Sequence, residues 1–314
     1  MPTIVTGGDN PQQPSVTTNA GLENENFNQS TSSEENVMEQ NPVSSGNFAT
    51  PTIVNPKVPV VVFVGPPSSG KSMILVRIAK YLRSQGYAIK TDLTFLNTPK
   101  YQQDCADFED SLNTTIALPG TVKFLLVNVY RNGVEVAKLL EAPGEDFYTT
   151  DKTQGVKNSS IEAYLATIMA SNNPKSYVTL LDLDSEISFR RDGYLRESYS
   201  QRFLNHFYPA INKDRDKIIL LYNKIDMTPF GDINGCHNLS AARDDAKLYY
   251  PQLFSTMRVS RLGGLMQVDN FSFLTFCTGM FSPQTDNFGN VFKVYTIASD
   301  VYPRDLWKEI ISKW

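Results

Sequence analysis

Apolar residues in this chain fall into short β-branched runs that alternate with longer stretches where they recur every three or four positions. The first pattern predicts buried strands and the second predicts amphipathic helices, so the alternation predicts an α/β protein. Residues 58 to 65, VPVVVFVG, read as a buried parallel strand. After GPPSSGKS comes MILVRIAKYLRSQG, residues 73 to 86, in which Leu75, Ile78, Ala79 and Leu82 share a helical face and Gly86 supplies the stop. Residues 87 to 120 are polar and mixed; apart from a short strand within YAIKTDLTFL they predict a long, partly irregular connection. Two apolar runs, residues 121 to 130 and 134 to 141, flank RNG, and Asn132-Gly133 is a tight-turn signal, so they form an antiparallel hairpin.

Further along, helical spacing covers residues 159 to 170, strand character 176 to 184, a longer helical region includes 199 to 211, and a strand spans 217 to 226. A helix near 240 to 250, a strand at 270 to 279 and a helix at 303 to 314, with Pro303 in its first turn, complete the pattern. Helices and apolar strands alternating in this way predict a three-layer domain with helices on both faces of one sheet. No internal repeat is evident.

Composition changes this picture at the amino end. The first 55 residues hold six of the 33 acidic residues and none of the 29 Lys and Arg, and are rich in Asn, Gln, Ser, Thr, Pro and Gly. A segment so poor in apolar side chains cannot offset its ordering entropy, which predicts a disordered tail over residues 1 to 55 and one folded domain over 56 to 314. With 27 acidic and 29 basic residues left, that domain carries about +2, which is no nucleic-acid-binding signature. Cys105, Cys236 and Cys277 lack metal-site spacing and read as reduced thiols. No basic-then-apolar leader precedes the domain, the densest apolar run is far too short to cross a bilayer, and neither Pro2 nor the closing SKW fits a lipidation pattern. The expectation is a cytoplasmic protein without a membrane anchor.

GPPSSGKS fits G-x-x-x-x-G-K-[ST] at Gly65, Gly70, Lys71 and Ser72, with Pro66, Pro67, Ser68 and Ser69 between them. Strand, glycine loop and helix are what a phosphate cradle requires: loop amides meet phosphate oxygens, Lys71 bridges the outer phosphates, and Ser72 ligates magnesium at a helix amino terminus. The plainer reading is a glycine-rich structural turn. Asn223-Lys224-Ile225-Asp226 then ends an apolar strand. There Asp226 offers a carboxylate to the ring N–H and exocyclic amine of guanine, a donor pair that adenine lacks; the plainer reading is a strand-end turn.

With both motifs in this order, and an antiparallel hairpin between them, residues 58 to 314 resemble a Ras-like GTPase of the translation-factor-related P-loop class. Long insertions and non-standard motifs resemble the divergent bacterial members more than the eukaryotic membrane-anchored ones. The resemblance implies a P-loop NTPase fold of Ras-like topology, with a mostly parallel sheet, and GTP or GDP with Mg2+ as ligands. EAPG, residues 141 to 144, stands where the family has Asp-x-x-Gly, so Glu141 takes the place of the magnesium-facing Asp, and the Gly144 amide, set by Pro143, is presented to the γ-phosphate; a simple turn is the alternative. Glu145 stands where many members carry a water-orienting Gln, and either retards hydrolysis or is inert.

A second magnesium ligand is sought in a Thr before the hairpin, with Thr121 first and Thr115 second. The base-closing loop falls at TFCTG, placing the Thr278 amide against the guanine carbonyl, with Ser260 as a rival. The implied function is a GTP/GDP switch with slow hydrolysis whose output is a protein partner. A nucleotide-locked scaffold is the main alternative, and a P-loop ATPase or kinase the lesser one.

Overall fold

The computed structural model describes residues 55–66, 69–95, 98–118, 125–141, 163–181, 196–261 and 265–312. β1 (Val60–Val64) leads through the glycine loop into α1 (Lys71–Ser84), followed by β2 (Ala88–Thr91), α2 (Pro99–Ser111) and the hairpin of β3 (Leu125–Arg131) with β4 (Val134–Glu141). Next come α3 (Ala163–Ala170), β5 (Lys175–Leu181), α4 (Arg196–Arg202), β6 (Lys217–Tyr222), α5 (Leu239–Tyr249) and α6 (Pro251–Thr256). A small hairpin of β7 (Arg258–Arg261) and β8 (Met266–Asp269) precedes β9 (Ser272–Thr275); a second, β10 (Gly279–Thr285) with β11 (Val291–Ile297), precedes α7 (Val301–Ile311).

Seven strands form one sheet in the order β2-β3-β4-β1-β5-β6-β9. β4, β1, β5, β6 and β9 are mutually parallel, while β3 and β2 join antiparallel at one flank. Every residue of β1, β5 and β6 is buried, which requires cover on both faces of the sheet and gives three layers. The β3–β4 turn has Asn132 at φ 52° and Gly133 at φ 79°, the paired left-handed conformation whose twist suits a two-residue hairpin. This is the P-loop NTPase fold expected from the sequence, mostly parallel with an antiparallel hairpin, and β2 adds one strand at its edge.

Three expectations are corrected. The supposedly irregular stretch between residues 87 and 120 contains α2, whose buried Tyr101, Cys105 and Phe108 are too diluted by charged residues to give a clear period. Its start signals were local: the Thr98 side chain accepts from the Tyr101 amide, and Pro99 occupies the first turn. The helical region expected through residues 199 to 211 is present, as α4, a π-helical turn at Phe203–Phe207 and a 3-10 turn at Tyr208–Ala210. The strand expected at 270 to 279 pairs only over β9, and the one expected at 217 to 226 ends at Tyr222, because each chain leaves the sheet to build the site. Neither β7–β8 nor β10–β11 was anticipated. The tail expected over residues 1 to 55 lies, except for Asn55, outside the described residues.

Candidate nucleotide-binding site

Parallel strands end on a common edge, so the segments that follow β1, β4, β6 and β9 converge there. Chain order reverses at β1, whose neighbours β4 and β5 lead outward in opposite directions, and the crevice at such a switch point is where open α/β sheets bind ligands. The glycine loop follows β1, Glu141 is the last residue of β4, Asn223 to Asp226 follow β6, and Phe276 to Thr278 follow β9.

Within the loop, Gly70 adopts φ 92° immediately before α1, a left-handed conformation that side chains resist. Gly65 is constrained by space instead: an added Cβ would lie 2.7 Å from Ser69 Oγ. Lys71 is only 3% exposed, and its ammonium donates to the carbonyls of Gly65 at 3.1 Å and Pro66 at 3.0 Å. Its charge is thereby held over the loop. The first turn of α1 carries no acidic residue, leaving the positive end of the helix dipole for an anion. Pro67 and Ser68 lie outside the described residues.

Ser72 Oγ donates to Glu141 Oε1 at 2.5 Å, joining the start of α1 to the end of β4. Glu141 is fully buried, and burial pushes its carboxyl up to about 7 against the opposing pull of the Lys71 charge and the Ser72 bond, with Asp104 adding to the rise. Its second oxygen, Oε2, is buried without a hydrogen-bond partner among the described residues. A carboxylate oxygen stranded beside a serine hydroxyl fits a magnesium site of the sparse kind, completed by ligand phosphates and water. The described residues contain no group of three or more His, Cys, Asp or Glu that could hold a metal without them. Of the two threonines, Thr121 lies outside the described residues, as do Gly144 and Glu145, while Thr115 is engaged through its carbonyl, which accepts from the Tyr295 amide at 2.9 Å.

On the base side, Asn223 is 2% exposed and its Nδ2 donates to the Ser69 carbonyl at 2.9 Å, tying the second motif to the first across 154 residues. Lys224 sits at φ 57°, ψ 38°, and the next amide, Ile225 N, bonds to the Phe276 carbonyl at 3.1 Å, so the base loop is stitched to the β9 loop. Asp226 is half-buried beside Cys277, whose thiol is pushed up first by burial and then by that carboxylate. A cavity of about 560 Å³ is bounded by Gly70, Asn223, Lys224, Asp226 and Thr278. Thr278 lines this cavity, whereas Ser260 lies in β7 and is not among the described residues that line it.

No family model matches the chain, and no curated protein matches it significantly. Solved structures to which the chain shows a weak likeness include a protein described as putative nucleolar GTP-binding protein 1 from Plasmodium falciparum, at 14% identity over 72% of this chain and 79% of that one, with a TM-score of 0.38. Another is the signal recognition particle receptor complex SRb-GTP/SRX from Chaetomium thermophilum, at 13% identity over 70% of this chain and 89% of that one, with a TM-score of 0.31. The chemistry of the site rests on this chain's own residues.

Sequence reasoning missed the remaining wall of the cavity. Met280, Phe281 and Lys293 come from the β10–β11 hairpin, and Ala117 and Leu118 from the segment after α2. The available signal was the β-branched and aromatic enrichment of VFKVYTI, residues 291 to 297, shortly before the last helix.

Proposed function

We propose that this chain binds GTP and GDP with magnesium and uses the difference between them as a conformational switch, hydrolysing GTP slowly. The observation that carries the reading is one cavity bounded by Gly70 of the phosphate loop and by Asp226 of the base motif, with the Asn223–Ser69 bond fixing the two at one separation. A phosphate cradle alone would serve any nucleotide. A carboxylate on the base wall selects guanine, because adenine would leave it unpaired in a partly desolvated pocket.

Ser72 and Glu141 would hold the magnesium ion, which neutralises phosphate charge when bound. Lys71 holds a buried positive charge at the loop, and Asn223 Nδ2 engages the loop carbonyl of Ser69. Glu145, a carboxylate where many resembling enzymes carry a donor amide, either retards turnover or is inert, and the output is a change in affinity for a cytoplasmic protein effector or regulator.

Identifying the nucleotide that co-purifies, then measuring competition between GTP and ATP and phosphate release over hours, tests this reading. GTP outcompeting ATP with slow sustained release is expected. ATP winning would overturn the base assignment; bound guanine nucleotide with no release would replace the switch with a nucleotide-locked scaffold.

A further inference from the structure

We propose that the β10–β11 hairpin is itself part of the nucleotide site, a clasp that walls the base pocket and retains the bound ligand; this rests on the guanine-nucleotide reading above. The hairpin pairs with no strand of the main sheet, forming a separate two-stranded sheet between the base loop and α7. The seven-stranded core is therefore complete without it, and its position calls for another explanation.

Its root supplies that explanation. Met280, Phe281 and Lys293 line the same cavity as Asp226 and Lys224. Gly279 fixes how the hairpin leaves Thr278: its φ is 150°, and an added Cβ would fall 2.1 Å from the Thr296 carbonyl oxygen, so only glycine lets β10 start this close to β11. The wall is thus indexed to Thr278, which lines the same cavity. Phe281 is stacked on Tyr295 across the hairpin at 5.4 Å between ring centres, which stiffens the root.

The hairpin also closes on a distant segment. The Tyr295 amide donates to the Thr115 carbonyl at 2.9 Å, and the Ala117 amide donates to the Lys293 carbonyl at 2.8 Å, with Ile116 opposite Val294 between them. Ala117 and Leu118 border the cavity too, so these backbone bonds join two of its walls. From α1, Lys80 donates to the Thr114 carbonyl and stands 5.2 Å from the centre of the Tyr295 ring, bracing both sides of the junction. The opposite wall consists of loops tied to the sheet. The hairpin junction, held by two backbone bonds, is the seam that opens when ligand leaves.

The pairing geometry supplies a direct test. Ile116 and Val294 form a non-hydrogen-bonded antiparallel pair, for which Cα atoms stand about 4.5 Å apart, inside the range of about 4.4–6.8 Å that a disulfide spans. The double variant Ile116→Cys, Val294→Cys is made in a Cys236→Ser background, because Cys236 is the exposed native thiol while Cys105 and Cys277 are buried. Protein loaded with radiolabelled GDP is chased with excess unlabelled GDP, oxidised and then reduced with dithiothreitol. Release at least tenfold slower in the oxidised form, restored by reduction, is expected. A second variant, Ala117→Pro, deletes the donor to Lys293 and should speed release at least threefold, with its urea midpoint checked against wild type. Equal release from the oxidised and reduced forms, with the disulfide verified by mass, overturns the clasp alone. Failure of the wild-type protein to bind GDP takes down both the clasp and the guanine-nucleotide reading.

Discussion

Asp226→Asn exchanges one carboxylate oxygen for an NH2 and leaves the shape of the side chain unchanged. Asp226 is the single carboxylate among the described residues lining the cavity, whose other charged side chains are Lys224 and Lys293, so no neighbouring carboxylate can replace it. Guanine presents two donors to that carboxylate. In the variant, one bond loses its charge assistance and the other becomes a donor facing a donor. A charge-assisted bond contributes about 1.5–3 kcal/mol, and an unsatisfied buried amine costs about 1–3 kcal/mol more, so the loss amounts to about 3–5 kcal/mol, or two to four orders of magnitude in affinity. Xanthine carries a carbonyl where guanine carries the amine and accepts from the new NH2. Competition of GTP and xanthosine triphosphate for a labelled ligand should therefore show GTP favoured by the wild type and xanthosine triphosphate favoured by Asp226→Asn. A variant that keeps the wild-type preference for GTP would remove Asp226 from the base pocket and refute the selection argument.

Lys71→Ala removes a buried ammonium from the phosphate loop, and calorimetry should show GTP affinity reduced at least tenfold; unchanged binding would mean that phosphate does not sit over Gly65 to Ser72. Gly70→Ala imposes a left-handed conformation costing about 1–2 kcal/mol. It also sets a Cβ 2.8 Å from Asn223 Nδ2, whereas Gly133→Ala, at φ 79°, meets nothing within 4 Å. Urea denaturation should find Gly70→Ala the more destabilising of the two, and equal losses would contradict the close approach of loop and base motif. Burial, reinforced by Arg215 and opposed by Asp216, holds the Lys175 ammonium down to about 8 from 10.5. Below pH 8 that cost is present in full; between pH 8 and 10.5 the unfolded chain binds more protons, so stability rises with pH, and Lys175→Met should lose that rise when unfolding is followed by urea across this range.

The chemistry of the site was legible wherever a motif is contiguous. GPPSSGKS and NKID each carry their functional groups within a few residues, and the apolar runs before them identify the strands that aim them. Fully buried strands such as β1 and β6 announce themselves because cover on both faces favours near-continuous apolar runs. The Asn132-Gly133 turn was equally plain, since few residue pairs tolerate two left-handed conformations in succession. α2 escaped notice because a helix packed along one narrow stripe needs few apolar residues, and its capping threonine and first-turn proline were the better signals.

The sequence by itself determined the class of fold, the ligand class to expect and the residues that would meet phosphate and base, because those properties follow from local periodicity and short-range spacing. Only the tertiary structure decided how distant groups meet. Ser72 reaches Glu141 across 69 residues, leaving one carboxylate oxygen stranded, and Asn223 reaches Ser69 across 154. It also set Thr278 rather than Ser260 among the described residues lining the cavity, and it brought β10–β11 against residues 115 to 117 to form another of its walls. That last contact is made by backbone amides and carbonyls, which every non-proline residue possesses alike. Side-chain pattern therefore left no trace of it.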